Sequence, residues 1–315
     1  MEAASAFSPL LFSSVASHYL LAAFVLAALG FLLIDTNATS LHSLYQKRLG
    51  DAFLFDPNNP AQADPELRDV KNIYPRLDEI DTDLCPYPIV NASLNLQGSP
   101  YANQRGRNAD FFVFTPEYTG SHPTGYVGSA KISDKDPGLG LGLSAAMAIS
   151  GAAISPNMGA ATIFSLTFSL AFLNIRLGYW LYNPKYVVAP QQSFESLKAL
   201  LSKASLYLLG KEMFSRIDES DGIIYLTDGG NLENLGLYEL LRRRCKLIIA
   251  VDAEEDATLS FPSFLALQRY ARIDFGAKID LPWQLIAESP APPQPAFRCA
   301  AGEIQYAGEE TGILL

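Results

Sequence analysis

Asp228 closes a short apolar run, Ile-Ile-Tyr-Leu-Thr-Asp over Ile223–Asp228, and is followed at once by Gly229 and Gly230. A carboxylate in that position can take a proton from a hydroxyl, provided the two come within hydrogen-bond reach. The glycine pair has no side chain to keep another backbone or a ligand away. Glu233 and Asn234 come next and suit a helix start and local hydrogen bonding better than chemistry. The same residues carry a plainer reading, in which Asp228 caps the following helix and the glycines only make the turn. Arg242, Arg243 and Arg244 read as a solvated helix end that complements the helix dipole.

Other chemistries find little support. Of the three histidines, His18 lies inside an apolar run, His42 just beyond it and His122 in a glycine-rich stretch, so a Ser-His-Asp arrangement has no placeable base near Asp228 in sequence. No His, Asp or Glu cluster has metal-ligand spacing, and no cofactor is expected. The glycines at 140–145 resemble a dinucleotide fingerprint, but no clear strand precedes them and no acidic residue follows before Glu195 to hold a ribose. Ser144 and Ser150 are the serines nearest to a nucleophile pattern. Gly142-Leu-Ser144-Ala-Ala146 lacks the closing glycine of G-x-S-x-G, and Ser150 is followed by Gly151 without being flanked.

The elements that must position Asp228 follow from periodicity. Residues 223–253 read as strand, glycine turn, helix over 233–243 with Leu237, Leu240 and Leu241 on one face, then a second strand over 247–251. That order predicts a βαβ unit in a parallel sheet, whose ligand site lies at the carboxyl ends of the strands. Strands are predicted around "YPIVNASLNL" and "DFFVFTPEY", and helices after Ser40, over 194–209 and in "SFLALQRYARIDF". Loops are expected over 56–83 and in "SPAPPQPAF", and glycine-rich connections over 120–129 and 133–142. The final "GILL" reads as an apolar strand, and an uncapped strand there suggests that the sequence continues.

Two stretches carry no Asp, Glu, Lys or Arg, 3–34 and 138–175. The first is long enough to cross a bilayer, which takes roughly 20 apolar residues as a helix, and predicts a membrane anchor over 1–36 followed by one domain over 37–315. Lys47 and Arg48 after the span place the bulk of the chain on the cytoplasmic side of a single-pass membrane protein. The second is expected to form a buried helix pair around the active site, with a second membrane helix over 138–181 as the alternative. A net charge of −10 and an isoelectric point near 4.8 leave no basic surface for nucleic acid. Cys85, Cys245 and Cys299 are too scattered for a disulfide framework. The glycosylation sequons at Asn37 and Asn91 are expected to be chance matches.

Asp-Gly-Gly joined to "ENLGLYELLRRRCKLIIAVDA" resembles the aspartate segment of patatin-like, cytosolic phospholipase-type lipid acyl hydrolases. "AMAISGAAISPNMG" is similar to that family's small-residue segment between nucleophile and aspartate, and "NATSLHSLYQKRL" and "NIRLGYWLYNP" resemble its bacterial membrane-associated branch. The resemblance implies an α/β fold with a central, mostly parallel sheet flanked by helices. It implies Asp228 as the base of a Ser-Asp dyad, with Gly229, Gly230, Glu233, Asn234, Ser150 and Gly151 as motif and support, and a glycerolipid or phospholipid substrate. The family's nucleophile motif and glycine-rich oxyanion loop are missing. The chain is therefore expected to be the C-terminal portion of a longer enzyme, with the serine outside it and little activity of its own. A non-catalytic membrane scaffold and a soluble binding module are the other readings.

Overall fold

Six strands build the sheet that carries Asp228: β1 (Val90–Asn95), β2 (Ala109–Phe114), β3 (Tyr118–Ser121), β4 (Gly125–Gly128), β5 (Tyr179–Tyr182) and β6 (Ile223–Asp228). They lie in the order β4-β3-β2-β1-β6-β5, and every neighbouring pair is antiparallel. A second sheet, β7-β10-β9-β8, is made from β7 (Leu247–Ile248), β8 (Lys278–Asp280), β9 (Gly302–Gln305) and β10 (Thr311–Leu314). The helices are α1 (Ser14–Leu33), α2 (His42–Phe53), α3 (Ser129–Lys135), α4 (Leu143–Ser150), α5 (Phe164–Phe172), α6 (Pro184–Val188), α7 (Ser205–Met213), α8 (Tyr238–Arg242), α9 (Pro262–Phe275) and α10 (Gln284–Ala287). This is a computed structural model, and it describes residues 14–33, 35–54, 74–100, 106–135, 142–159, 162–188, 205–287, 298–308 and 310–315. The chain is mixed α/β.

The expected parallel βαβ unit is not what forms. β6 and β7 belong to different sheets, and β7 pairs in parallel with β10, the single parallel pair among the described residues. A continuous apolar run reports burial on both faces, and helices over both faces of an antiparallel sheet produce it just as well. Ile223 and Tyr225 face Trp180, Ile217 and Leu208 of α7, while Ile224 and Leu226 face Ala145, Ala146 and Ile149 of α4. The helix expected over 233–243 shortens to α8. Gly236 has φ +69°, a conformation that side-chain-bearing residues rarely adopt, and the chain turns there before the helix begins. The glycine-rich run 120–129 is also no mere connection. It forms the β3–β4 hairpin, with the Ser121 and Thr124 hydroxyls 2.7 Å apart across the turn. Its glycines and proline hid the alternation.

Several expectations hold. β1 and β2 lie where the apolar runs placed them, "GILL" falls within β10 and its tail, and "SFLALQRYARIDF" is α9, with Pro262 in its first turn and Gly276 in the left-handed conformation at its end. Ser40 Oγ accepts from the His42 amide at 3.3 Å at the start of α2. Most of the 56–83 loop, residues 194–204 of the predicted helix, and the proline-rich loop 289–297 lie outside the described residues.

The first apolar stretch does form a helix, α1, but among the described residues no helix is long and apolar enough to cross a membrane. Among the described residues the second stretch gives neither a span nor a buried pair. α4 is buried against the sheet, whereas α5 shows much of its surface to solvent. Neither sequon asparagine is free to carry a glycan in the fold. Asn37 bonds both backbone polar groups of Trp180, accepting from its amide N–H at 3.0 Å and donating to its carbonyl at 2.9 Å, which covers the β5 edge. Asn91 sits within β1, between β2 and β6.

Behind β5 lies a buried polar cluster. Arg176 pairs with Glu212, both 0% exposed, and donates to the Thr36 carbonyl at 2.9 Å, while Trp180 Nε1 donates to Glu212 Oε1 at 2.7 Å. His42 is sealed in beside it, with Nδ1 2.7 Å from the Leu177 carbonyl. Burial, with the nearby Arg176 charge, lowers its pKa from 6.5 to about 4. An unfolded chain therefore takes up this proton first on acidification. Stability is complete above about pH 6.5 and falls toward pH 4, by about 3 kcal/mol from this residue alone. Urea midpoints measured near pH 7 and near pH 4.5 should differ less in His42→Gln, which keeps a polar side chain but cannot charge.

Candidate active site

Asp228 is held at the end of a strand with neighbours on both sides. β6 lies between β1 and β5, and Asp228 sits opposite Ala92 in the antiparallel register. Its Oδ1 accepts from the Gly230 amide at 2.8 Å, across the short 3-10 turn Gly229–Asn231. Asp228 therefore caps this 3-10 turn and not the α-helix that follows. No described residue hydrogen-bonds the other oxygen, and the side chain stays partly open to solvent. Burial raises the carboxyl pKa, while the Gly230 bond pulls it down. A carboxylate in that state is a better proton acceptor than a fully solvated one.

The glycines do more than turn the chain. A Cβ on Gly229 would lie 2.9 Å from the Asn91 carbonyl oxygen, so this position depends on close backbone approach. One on Gly230 would collide with the Asn234 side chain. Asn234 donates to Glu254 Oε1 at 2.5 Å, and Ser263 donates to the same oxygen at 2.7 Å, so the loop after β7 is tied to the turn. Glu233 is buried and caps the next helix, its Oε2 accepting from the amides of Leu237 at 3.1 Å and Tyr238 at 3.4 Å. Burial raises its pKa and the backbone amides oppose that. Both residues make local hydrogen bonds, as their positions suggested.

The triple arginine is less free than expected. Arg242 and Arg243 both bond Glu239, which is buried, at 2.6 and 2.8 Å. Arg244 pairs with Glu310 at 3.1 Å on the surface.

Ser150 ends α4 and Gly151 caps it, its amide bonding the Met147 carbonyl at 3.0 Å and the place of its missing side chain filled by the Tyr45 hydroxyl. Ser144 is buried in the same helix, 3.3 Å from Gln46 Nε2. Neither serine bonds Asp228. The segment that follows does reach its strand. Gly159 N donates to Asn95 Oδ1 at 2.8 Å, and Asn95 Nδ2 donates to Thr227 Oγ1 at 2.8 Å, one residue before Asp228. Ser155 Oγ accepts from Gly178 N at 3.0 Å. Sequence reasoning passed over Asn95 and Glu254. The signal for Asn95 was present, because an asparagine inside an apolar strand must satisfy its buried polar groups. Among the described residues no group of His, Cys, Asp and Glu could hold a metal ion.

No protein-family model matches the chain, and comparisons with curated proteins and with solved structures also return no match.

Proposed function

We propose that this chain carries the aspartate-bearing part of a patatin-like lipid acyl hydrolase, associated with a membrane through its N-terminal segment. The observation that supports this most is the bridge through Asn95. It joins the two segments that resemble the family, the small-residue stretch ending at Gly159 and the Asp228 motif. The reading rests on these motifs and not on sheet topology, since the family fold implies parallel strands and the sheet holding β6 has none.

In the proposed reaction a serine hydroxyl, supplied from outside these residues, attacks the ester carbonyl of a glycerolipid or phospholipid. Its oxygen bonds to the carbonyl carbon and its proton passes to Asp228. The C–O bond to the leaving alcohol breaks, and that alcohol takes the proton from Asp228. Water then attacks the acyl-serine and gives its proton to Asp228. Serine leaves as the hydroxyl on recovering that proton, and the fatty acid is released. No cofactor takes part.

A second reading has its own support. The one hydrogen bond described for the Asp228 side chain is that of a cap, as a non-catalytic scaffold would also need. Ester hydrolysis distinguishes the two. These 315 residues alone are expected to turn over short-chain aryl esters no faster than buffer, and a longer chain that includes a G-x-S-x-G segment should do so readily. Turnover by the short chain that disappears on Ser144→Ala or Ser150→Ala would place the nucleophile inside it. An inactive longer chain would leave the scaffold.

A further inference from the structure

Helix α5 is turned inside out. The side it presses against the fold holds Thr167, 2% exposed, whose hydroxyl bonds the Pro156 carbonyl at 2.8 Å, and the small Ala171. The side it shows to solvent holds Leu166, Phe168 at 53% and Phe172 at 68% beside the uncharged Ser165 and Ser169, and Leu173 follows. A surface helix in water has the opposite arrangement. α7 packs against both α5 and α1, and the exposed Phe214 follows it directly. The apolar surfaces of α5 and α1 therefore meet at one neighbour.

We infer that α5 seats the protein in one leaflet of a lipid bilayer, as a second contact beside the N-terminal helix. The occupant follows from α1. Its described side chains from Tyr19 to Leu26 are all apolar or aromatic, and they are exposed on every side of the helix. A protein groove covers one side of a helix, whereas lipid covers all of them. Protein interfaces also carry Arg and about one hydrogen bond per 100–200 Å², yet neither 3–34 nor 138–175 contains an Asp, Glu, Lys or Arg. α5 has 9 residues and runs about 13 Å at about 1.5 Å per residue, too short for a core of about 30 Å, so it lies along the interface. With a net charge of −10, the protein gains no net attraction from anionic lipid, so the contact is apolar. The inference extends the membrane part of the proposed function and is independent of the hydrolase part.

The test uses the full chain with Phe168→Trp, added to phosphatidylcholine vesicles whose acyl chains are either plain or brominated. The unsubstituted chain, with Trp180 and Trp283, gives the baseline. The emission added by the new indole is expected to shift to shorter wavelength on vesicle addition and to lose most of its intensity to the brominated chains. Co-sedimentation with vesicles together with emission insensitive to bromine would mean that α1 alone holds the membrane and would overturn the role of α5. Emission already shifted in buffer and insensitive to bromine would show a second copy covering the face, which also overturns it. A chain that stays in the supernatant would remove both contacts.

Discussion

Asp228→Asn, in the enzyme completed with its nucleophile, is expected to melt as the parent does while its turnover of a short-chain ester falls about 10²–10⁴-fold. The substitution keeps the shape of the side chain. Asn caps about as well as Asp, and its Oδ1 can still accept from the Gly230 amide, which lies 2.8 Å from Asp228 Oδ1. What is lost is the proton acceptor, worth about 3–5 kcal/mol of barrier at the expected rate change. The acid limb of the parent's pH–rate profile should lie above the ordinary aspartate range, because burial raises this pKa and the base works only when ionised. A variant that melts normally and turns over at the parental rate would leave Asp228 as a cap and the motif as scaffold.

Glu212→Ala should produce a large loss of stability. It strands the Arg176 guanidinium in a site with 0% exposure and leaves the Trp180 indole N–H without its acceptor. Removing one partner of a buried pair costs about 3–5 kcal/mol. The surface pair Arg244 and Glu310 gives the comparison, since breaking an exposed pair costs at most about 1 kcal/mol. Denaturant melts of Glu212→Ala and Glu310→Ala at neutral pH read both. Arg176→Met with Glu212→Leu should recover much of the loss, because the charge is then removed together with its partner. Equal losses from the two single variants would mean that the buried pair carries no special weight.

The position of Asp228 was legible in the sequence because it depends on local chemistry alone. An apolar run, an acidic end and two glycines define a strand terminus whatever the strand pairs with. The hydrogen bonding of Glu233 and Asn234 was legible for the same reason. The direction of the neighbouring strands was not. Ile223 to Leu226 are buried on both faces, and that burial is the same whether α4 and α7 cover an antiparallel sheet or crossover helices cover a parallel one. The β3–β4 hairpin was hidden because glycine carries no alternation to read. The Asn95 bridge was hidden because it joins residues 64 and 132 positions apart in the chain. The inverted face of α5 could not be seen before the fold showed which side of that apolar stretch faces inward.

Strand β2 belongs to both cores. Phe112 and Phe114 point into the core beneath α4, while Ala109 and Phe111 point into the one around α8 and α9. Phe111 stacks on Tyr238 with ring centroids 3.5 Å apart, and the Tyr238 hydroxyl donates to Asp274 at 2.8 Å, which also pairs with Arg107 at 2.7 Å. Neither core can open without baring one face of the other's wall. The two sheets, separate as hydrogen-bonded ladders, are therefore one cooperative unit. Calorimetry should record a single endotherm, and the amides of β2 should be among the last to exchange with deuterium.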